Sequence, residues 1–461
     1  MDKVKNKNLC RSSDNLQVRV LRSKIMSRSL LWITAAIVLS GCGGPRAAAR
    51  KTTTEGIQSR TGSAVQPRAA EAKGSLPPGV SLDQPLSSDD AVGIAVWNNP
   101  QLRADLATLG LAEADLVEAG LLRNPRLDML VPVGAKPFEL LLNLPVEMLW
   151  QRPRRITASQ QALDQLAQSL IQNGLNTARD ARWAHADVVQ AVERAAVAKQ
   201  SAELREHVSR LTEARLRAGD IGELETMAAR TESASASEQL IRFEHDVRLA
   251  TERLRAALGL SAERPSLRVN SSPPPMEAPP LIETLLETAM GARPDLRASE
   301  LAIATATRRA KWERSRILVL SAQLNSKEVG TNGVLTGPGA TFDLPVFNRN
   351  QGLIARADAE VEVASRQYVA LKQRVAFEVA EAREQLVQAL DALRAVREQI
   401  LPPLQSAVAL AEDQYKQGDV AYLFVLEQNR GLIDAQLRIV DSEAAIRRAQ
   451  AQLERSIGSR Y

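Results

Sequence analysis

The chain is written twice, and this repetition constrains its fold more than any other feature of the sequence. Asn99-Pro100-Gln101-Leu102-Arg103-Ala104 is answered by Arg293-Pro294-Asp295-Leu296-Arg297-Ala298. Leu144-Pro145-Val146 is answered by Leu344-Pro345-Val346, and Arg217-Ala218-Gly219-Asp220-Ile221 by Lys416-Gln417-Gly418-Asp419-Val420. Leu258-Gly259 returns as Ile457-Gly458, so the offsets are 194, 200, 199 and 199 residues. Matches in one order at a nearly constant offset require two copies of one structural unit, joined by the Pro-rich linker 273–280.

Each copy has the same order of parts. A helix of roughly 30 residues comes first (about Ser88 to Leu122, and Leu281 to Arg316), then a strand-like stretch. A long helical run follows, about Pro153 to Ala218 and Gly352 to Gln417, and a second helix returns over Gly222 to Leu258 and Ala421 to Ile457. Leu371, Val375, Val379, Leu386, Leu390 and Leu393 fall at steps of three, four or seven, a coiled-coil stripe. At 1.5 Å per residue such a run is on the order of 95 Å long, more than a compact core needs. Gly219 and Gly418 stand where the stripes stop, as a left-handed helix C-terminus requires. Asp220 and Asp419 come next and are expected to cap the returning helices. The result is a pair of αα-hairpins. Pro402-Pro403 is expected to kink or break the second long run.

The strand-like stretches alternate with period two. Leu127, Met129, Val131 and Val133 share one face, and Leu140, Leu142, Leu144 and Val146 another. The second copy gives Leu318, Leu320, Ala322 and Leu324, then Ala340, Phe342, Leu344 and Val346. This fits a membrane barrel or an ordinary half-buried sheet. Closed membrane barrels begin at about eight strands, and an open edge cannot sit in lipid, so strands entering a membrane would have to come from several chains.

At this point the residues resemble a known family, the TolC-type outer-membrane factors, over nearly all of Ser88 to Gly458. The most specific mark is Gly337-Pro338-Gly339-Ala340-Thr341-Phe342-Asp343-Leu344-Pro345-Val346-Phe347-Asn348-Arg349-Asn350-Gln351-Gly352, similar to the family's fourth strand running into its long helix. The tip pattern Tyr415-Lys416-Gln417-Gly418-Asp419-Val420 with Leu423 and Leu426 is another. The resemblance implies a mainly α protein with a small membrane β part. Two tandem repeats would contribute coiled-coil hairpins to an α-barrel, and four strands per chain to a twelve-stranded β-barrel shared by a homotrimer. It implies an exit duct without cofactor or nucleotide, supplied by an inner-membrane pump through a periplasmic adaptor. It also implies that tip residues of the second hairpin line a periplasmic aperture. The matching positions are Tyr415, Asp419, Tyr422 and Glu427, with Arg430 nearby. The hairpin turns, with Arg217, Gly219, Asp220, Lys416 and Gly418, would face the adaptor. The stretch Leu344 to Gly352 resembles members of heavy-metal cation efflux systems as well as drug-efflux ones. Two departures stand out. The first strand pair leaves little room for a loop around Gly134 to Pro137, and girdle aromatics are few: Phe138, Trp150, Phe342 and Phe347.

The N-terminus carries a targeting segment. From Met26, Arg28 forms a short basic region, Leu30 to Leu39 an apolar one, and Leu39-Ser40-Gly41-Cys42 resembles a bacterial lipobox. The apolar run is too short to span a bilayer, which takes about 20 residues. The expectation is a start at Met26, a signal peptide ending at residue 41, and a lipidated Cys42 anchored in outer-membrane lipid. Gly43 in place of Asp, by resemblance to bacterial lipoproteins, implies sorting to the outer membrane. The domain order expected is an upstream and signal segment over 1–41, a tether over 42–85, the first repeat over 86–272, the linker 273–280 and the second repeat over 281–461.

Other function classes fit poorly. Cys10 and Cys42 both lie near the N-terminus, so the body holds no disulfide framework and no cysteine zinc site. His185, His207 and His245 have no three- or four-residue spacing, and the glycines form no phosphate loop; no enzyme, metal site or cofactor is expected. A net charge of +5 with Lys and Arg interleaved with Glu and Asp is not a nucleic-acid footprint. Aromatics at 3% disfavour a β-rich protein. The alternatives are a periplasmic adaptor and a structural coiled-coil lipoprotein without a pore. The adaptor is disfavoured because it carries one hairpin among many β segments.

Overall fold

The computed structural model describes residues 48–66, 76–131, 133, 137–329, 333–417 and 419–460. Cys42 and Gly418 lie outside them, as do the signal segment and 134–136.

The first repeat opens with three short helices, α2 (Ser88–Asn98), α3 (Pro100–Ala107) and α4 (Leu109–Gly120), where one helix is expected from the sequence. Local chemistry makes the cuts. Ser87 and Asp90 form a reciprocal capping box that starts α2. Pro100 has no N–H to continue α2, and Asn99 Oδ1 instead accepts from the N–H groups of Gln101 and Leu102, at 2.9 and 3.1 Å, starting α3. Strands β1 (Arg126–Leu130) and β2 (Glu139–Pro145) follow, then the 71-residue α5 (Met148–Ala218) and the returning α6 (Glu223–Ala257). The second repeat gives α7 (Ile282–Ala292) and α8 (Pro294–Ser315), cut again before a proline, then β3 (Leu320–Glu328) and β4 (Val334–Phe342). Its long run is α9 (Gln351–Ala395), a π segment (Val396–Ile400) and α10 (Leu401–Gln417), and α11 (Tyr422–Ile457) returns.

Several expectations are corrected. α5 begins five residues before Pro153, which sits inside the helix and leaves one N–H missing rather than setting the start. Pro402-Pro403 does not break the second run. The helix widens just before it, with the Leu401 N–H donating to the Val396 oxygen five residues back, and continues as α10. The fourth strand lies at Val334–Phe342, so Leu344 and Val346 fall beyond it. Within the expected tether, residues 48–61 form a helix, α1 (Ala48–Thr61), packed against α5. Glycines allow that approach: a Cβ on Gly174 would meet Ile57 at 2.9 Å, and one on Gly56 would meet Ile171 at 2.5 Å.

The coiled-coil stripe is buried as its spacing requires. Val375, Val379, Leu386, Leu390 and Leu393 form the second repeat's core with Leu285, Ile446 and Leu453. The first repeat's core gathers Ile57, Leu86, Ile94, Leu102, Leu106 and Leu254. A third, smaller cluster lies near the hairpin ends and joins the two hairpins: Ala229, Ala411, Tyr422, Val425 and Leu426.

Candidate functional site: a two-faced sheet and the hairpin tips

The four strands form one antiparallel sheet in the order β1-β2-β3-β4. Its register sorts the side chains by face. Leu127 stands opposite Leu142, Leu142 opposite Leu324, and Leu324 opposite Pro338, an apolar row across the whole sheet. Leu144, Ala322 and Ala340 form the next row on that face, and Leu320 pairs with Phe342 beyond it. Its two facing hydroxyls, Ser326 and Thr336, bond each other at 2.9 Å. The opposite face carries the rows Arg126-Asn143-Gln323-Gly339 and Asp128-Leu141-Asn325-Gly337. There Asp128 accepts from Arg126 Nε at 2.7 Å and from Asn143 Nδ2 at 3.0 Å, and Lys327 pairs with Glu139 at 2.9 Å. The apolar face is uncovered in the single chain, with Leu127, Met129, Leu324 and Phe342 exposed. Exposed apolar surface on one side and paired polar groups on the other is the division a membrane barrel makes between lipid and lumen. The sheet has two open edges, β1 and β4.

At the hairpin ends, Gly219 adopts φ 81° and the Asp220 N–H donates to Arg215 O at 2.9 Å, while the Gly219 N–H reaches Leu216 O. This is the paired closure of a helix by a left-handed residue. In the second hairpin the Asp419 N–H donates to Gln414 O at 3.0 Å, the same bond one repeat later. The aspartates close the outgoing helices through their backbones. They do not cap the returning ones, whose N-caps are Gly222 and Ala421 without a side-chain bond.

The structure divides the expected aperture residues. Asp419 and Glu427 are exposed. Tyr422 is 5% exposed and belongs to the tip core. Burial raises the Tyr422 pKa, with Arg205 opposing and Glu232 and Tyr415 adding to the rise. Tyr415 packs on Tyr422 with ring centroids 5.8 Å apart, and its hydroxyl accepts from Arg215 at 2.7 Å. Arg430 bonds Glu232, which raises its pKa, and stands 3.9 Å from Glu427. Glu232 also takes Arg205 at 2.8 Å, so Glu232 ties both hairpins together. Sequence reasoning missed Arg215 and Glu232, whose partners Tyr415 and Arg430 lie about 200 residues away and leave no local spacing, and Arg205, which meets Glu232 from the facing helix 27 residues earlier. The burial of Tyr422 was legible: Tyr422, Val425 and Leu426 repeat at helical spacing.

Among the described residues no helix is long and apolar enough to cross a membrane, and no group of three or more His, Cys, Asp or Glu is placed to hold a metal ion.

A small antiparallel sheet with one apolar face, carried on tandem long hairpins, is the fold of TolC-type channels. Residues 285–459 match the family model described as outer membrane efflux protein. The cobalt-zinc-cadmium resistance protein CzcC of Cupriavidus metallidurans is 26% identical over 391 residues, covering 81% of this chain and 90% of that one. A membrane protein from Pseudomonas aeruginosa superposes with a TM-score of 0.70 at 20% identity, covering 85% of this chain and 98% of its own. CusC superposes with a TM-score of 0.69 at 18% identity, covering 86% and 98%. At these identities the structural likeness establishes the fold. Residues 285–459 are similar to the outer membrane efflux protein family, and the fold is the one seen in the solved outer-membrane channels.

Proposed function

We propose that the protein is the exit duct of a tripartite efflux system, a homotrimer passing substrate from an inner-membrane pump and a periplasmic adaptor to the exterior. The observation that carries this is the sheet: one apolar face, one polar face and two open edges. Unpaired edge groups each cost several kcal/mol in hydrocarbon. Three copies joined edge to edge give twelve strands and remove every edge, with the paired polar face lining the lumen.

The mature chain begins at a lipidated Cys42, followed by a connecting segment to residue 85, the first repeat over 86–272, the linker 273–280 and the second repeat over 281–461. β1 and β2 are five and seven residues long, short of the roughly 9–11 that span a bilayer, which gives the lipid a larger share of the anchoring. Asp419 and Glu427 line the periplasmic aperture, with Tyr415, Tyr422 and Arg430 holding their support. Gly219 and Gly418, with Arg217, Asp220 and Lys416, meet the adaptor. The likeness to a cobalt-zinc-cadmium resistance protein supports divalent heavy-metal cations as the substrate.

Purified protein tests the duct. A three-fold particle in detergent, with stepwise conductance across a planar bilayer, is the expected result. A stable monomer that conducts nothing would overturn it. For the substrate, a deletion strain should lose tolerance to cobalt, zinc or cadmium; unchanged tolerance to all three rejects the metal reading and leaves the duct standing.

A further inference from the structure

The junction between helices and sheet carries an excess of positive charge that the duct does not account for. The first eight residues of α5 and the last eight of α8 hold seven cations against one carboxylate, Glu313. Both stretches lie within about 12 Å of the junction, since a helical residue rises 1.5 Å. On α8 the helix dipole favours them, because its negative end lies there. On α5 the sign is wrong: the positive end of the dipole carries Arg152, Arg154 and Arg155, and the first turn has no acidic residue. Arg152 and Arg155 have local work, donating to the Gly120 and Leu121 carbonyls that end α4, at 2.7 and 2.9 Å. Arg154 has none. Arg154, Arg308, Arg309 and Lys311 are exposed and pair with no described carboxylate.

A second observation lies beside them. The exposed apolar surface does not end with the strands. Leu149, Leu318, Leu344 and Val346 continue it to the helix ends, and Phe347 is 93% exposed. An apolar belt bordered by unpaired cations matches the chemistry of a lipid monolayer, acyl chains first and anionic head groups next.

We propose that Arg154, Arg308 and Lys311 form part of a basic collar that binds the anionic head groups of phospholipids in the leaflet facing the helices. This rests on the duct reading for the placement of the sheet in the bilayer. The collar sets the depth of the barrel, which matters for a chain whose first two strands are short.

Native mass spectrometry of the purified full chain in detergent tests it, titrating dioctanoyl phosphatidylglycerol against dioctanoyl phosphatidylcholine. The wild type should bind phosphatidylglycerol at least about tenfold more tightly, and the preference should weaken with salt. Each removed cation should weaken phosphatidylglycerol binding about fivefold, so R154Q/R308Q/K311Q should lose on the order of a hundredfold. Equal binding of the two lipids by the wild type overturns the proposal, whether or not the triple variant assembles. So does full retention of the preference in the triple variant, or displacement of the lipid by millimolar inorganic phosphate, which would mark an ion site. Planar-bilayer conductance of the same preparations separates the two readings. Conductance without lipid preference sinks the collar alone; lipid preference without conductance sinks the duct.

Discussion

Arg293 donates to the carbonyl oxygen of Ser456 at 3.1 Å, and one repeat earlier Asn99 donates to that of Ala257 at 3.4 Å. Ala257 and Ser456 lie 199 residues apart, at the ends of the two returning helices. Two different side chains thus fasten the same joint, the start of α3 or α8 to the end of its hairpin. The arginine carries more of the load. Its side chain is 1% exposed and pairs with Asp295 at 2.5 Å and Glu378 at 2.7 Å. Burial pulls its pKa down, and the two carboxylates more than reverse this, so it stays charged.

Replacing Arg293 by Met should therefore leave Asp295 uncompensated and Glu378 with Arg455 alone. Breaking a buried pair by removing one partner typically costs about 3–5 kcal/mol. We expect R293M to lower the thermal midpoint for loss of helical circular dichroism in detergent, and R293K to fall between it and the wild type. An unchanged midpoint in R293M would contradict this role.

Gly219 and Gly259 share a left-handed backbone, with φ of 81° and 71°, but differ in the space around them. A Cβ on Gly219 meets nothing within 4 Å, whereas one on Gly259 would lie 2.6 Å from the carbonyl oxygen of Asn98. G219A should cost only the left-handed strain, about 1–2 kcal/mol. G259A adds a backbone collision and should destabilise markedly more. Equal thermal midpoints for the two variants would refute the distinction.

These joints also show what the sequence could and could not reveal. The hairpins were legible because Gly219 and the stripe from Val375 to Leu393 are local signals repeated one unit apart. The strands were legible by alternation, yet the end of β4 was misplaced because Leu344 and Val346 continue the period past the last ladder bond. The cut before Pro100 turned on one side chain, Asn99, whose capping role is short-range and easily overlooked within a helical pattern. α1 was missed for a different reason. Its sequence is polar and rich in threonine, and what holds Ile57 is a contact with Gly174, more than a hundred residues away.

His185 should make stability depend on pH. Its ring is 5% exposed, with Nε2 2.9 Å from the Leu86 oxygen. Burial pulls its pKa below 6.5; the Leu86 bond and Asp90 oppose this, and Arg447 adds to it. Above about pH 6.5 both folded and unfolded chains hold a neutral ring. Below that, the unfolded chain takes up a proton that the folded one resists, so stability falls with pH until the lower folded pKa is passed. H185Q should flatten the slope of thermal midpoint against pH just below about 6.5. An identical slope in the variant would assign it to other groups.

Adjacent residues of β3 face opposite ways, Leu324 on the apolar side and Asn325 on the polar side. If that division is lipid against lumen, L324R places a charge in hydrocarbon, at about 2–4 kcal/mol near the midplane, while N325R points it into water. We expect L324R to reduce the yield of assembled trimer in outer-membrane fractions and N325R to leave it near wild type. Equal yields would mean that the apolar face does not meet lipid.

The tip residues make a graded expectation for ion selectivity. Asp419 is exposed and has no ion pair among the described residues, so in a trimer three such carboxylates would ring the aperture. Glu427 is also exposed, but Arg430 stands 3.9 Å away and neutralises part of its field. The Tyr422 ring is buried in the tip core. Reversal potentials in a tenfold potassium chloride gradient should therefore order the variants. D419N should lose the most cation preference, E427Q less, and Y422F none. Tyr422→Ala differs again, because it empties the junction between the hairpins, where Glu232 ties Arg205 to Arg430. That loss should raise open probability without shifting the reversal potential, since it loosens the support and leaves the carboxylates in place. A reversal potential unmoved by D419N would remove Asp419 from the aperture, and one shifted by Y422F would place the tyrosine there instead.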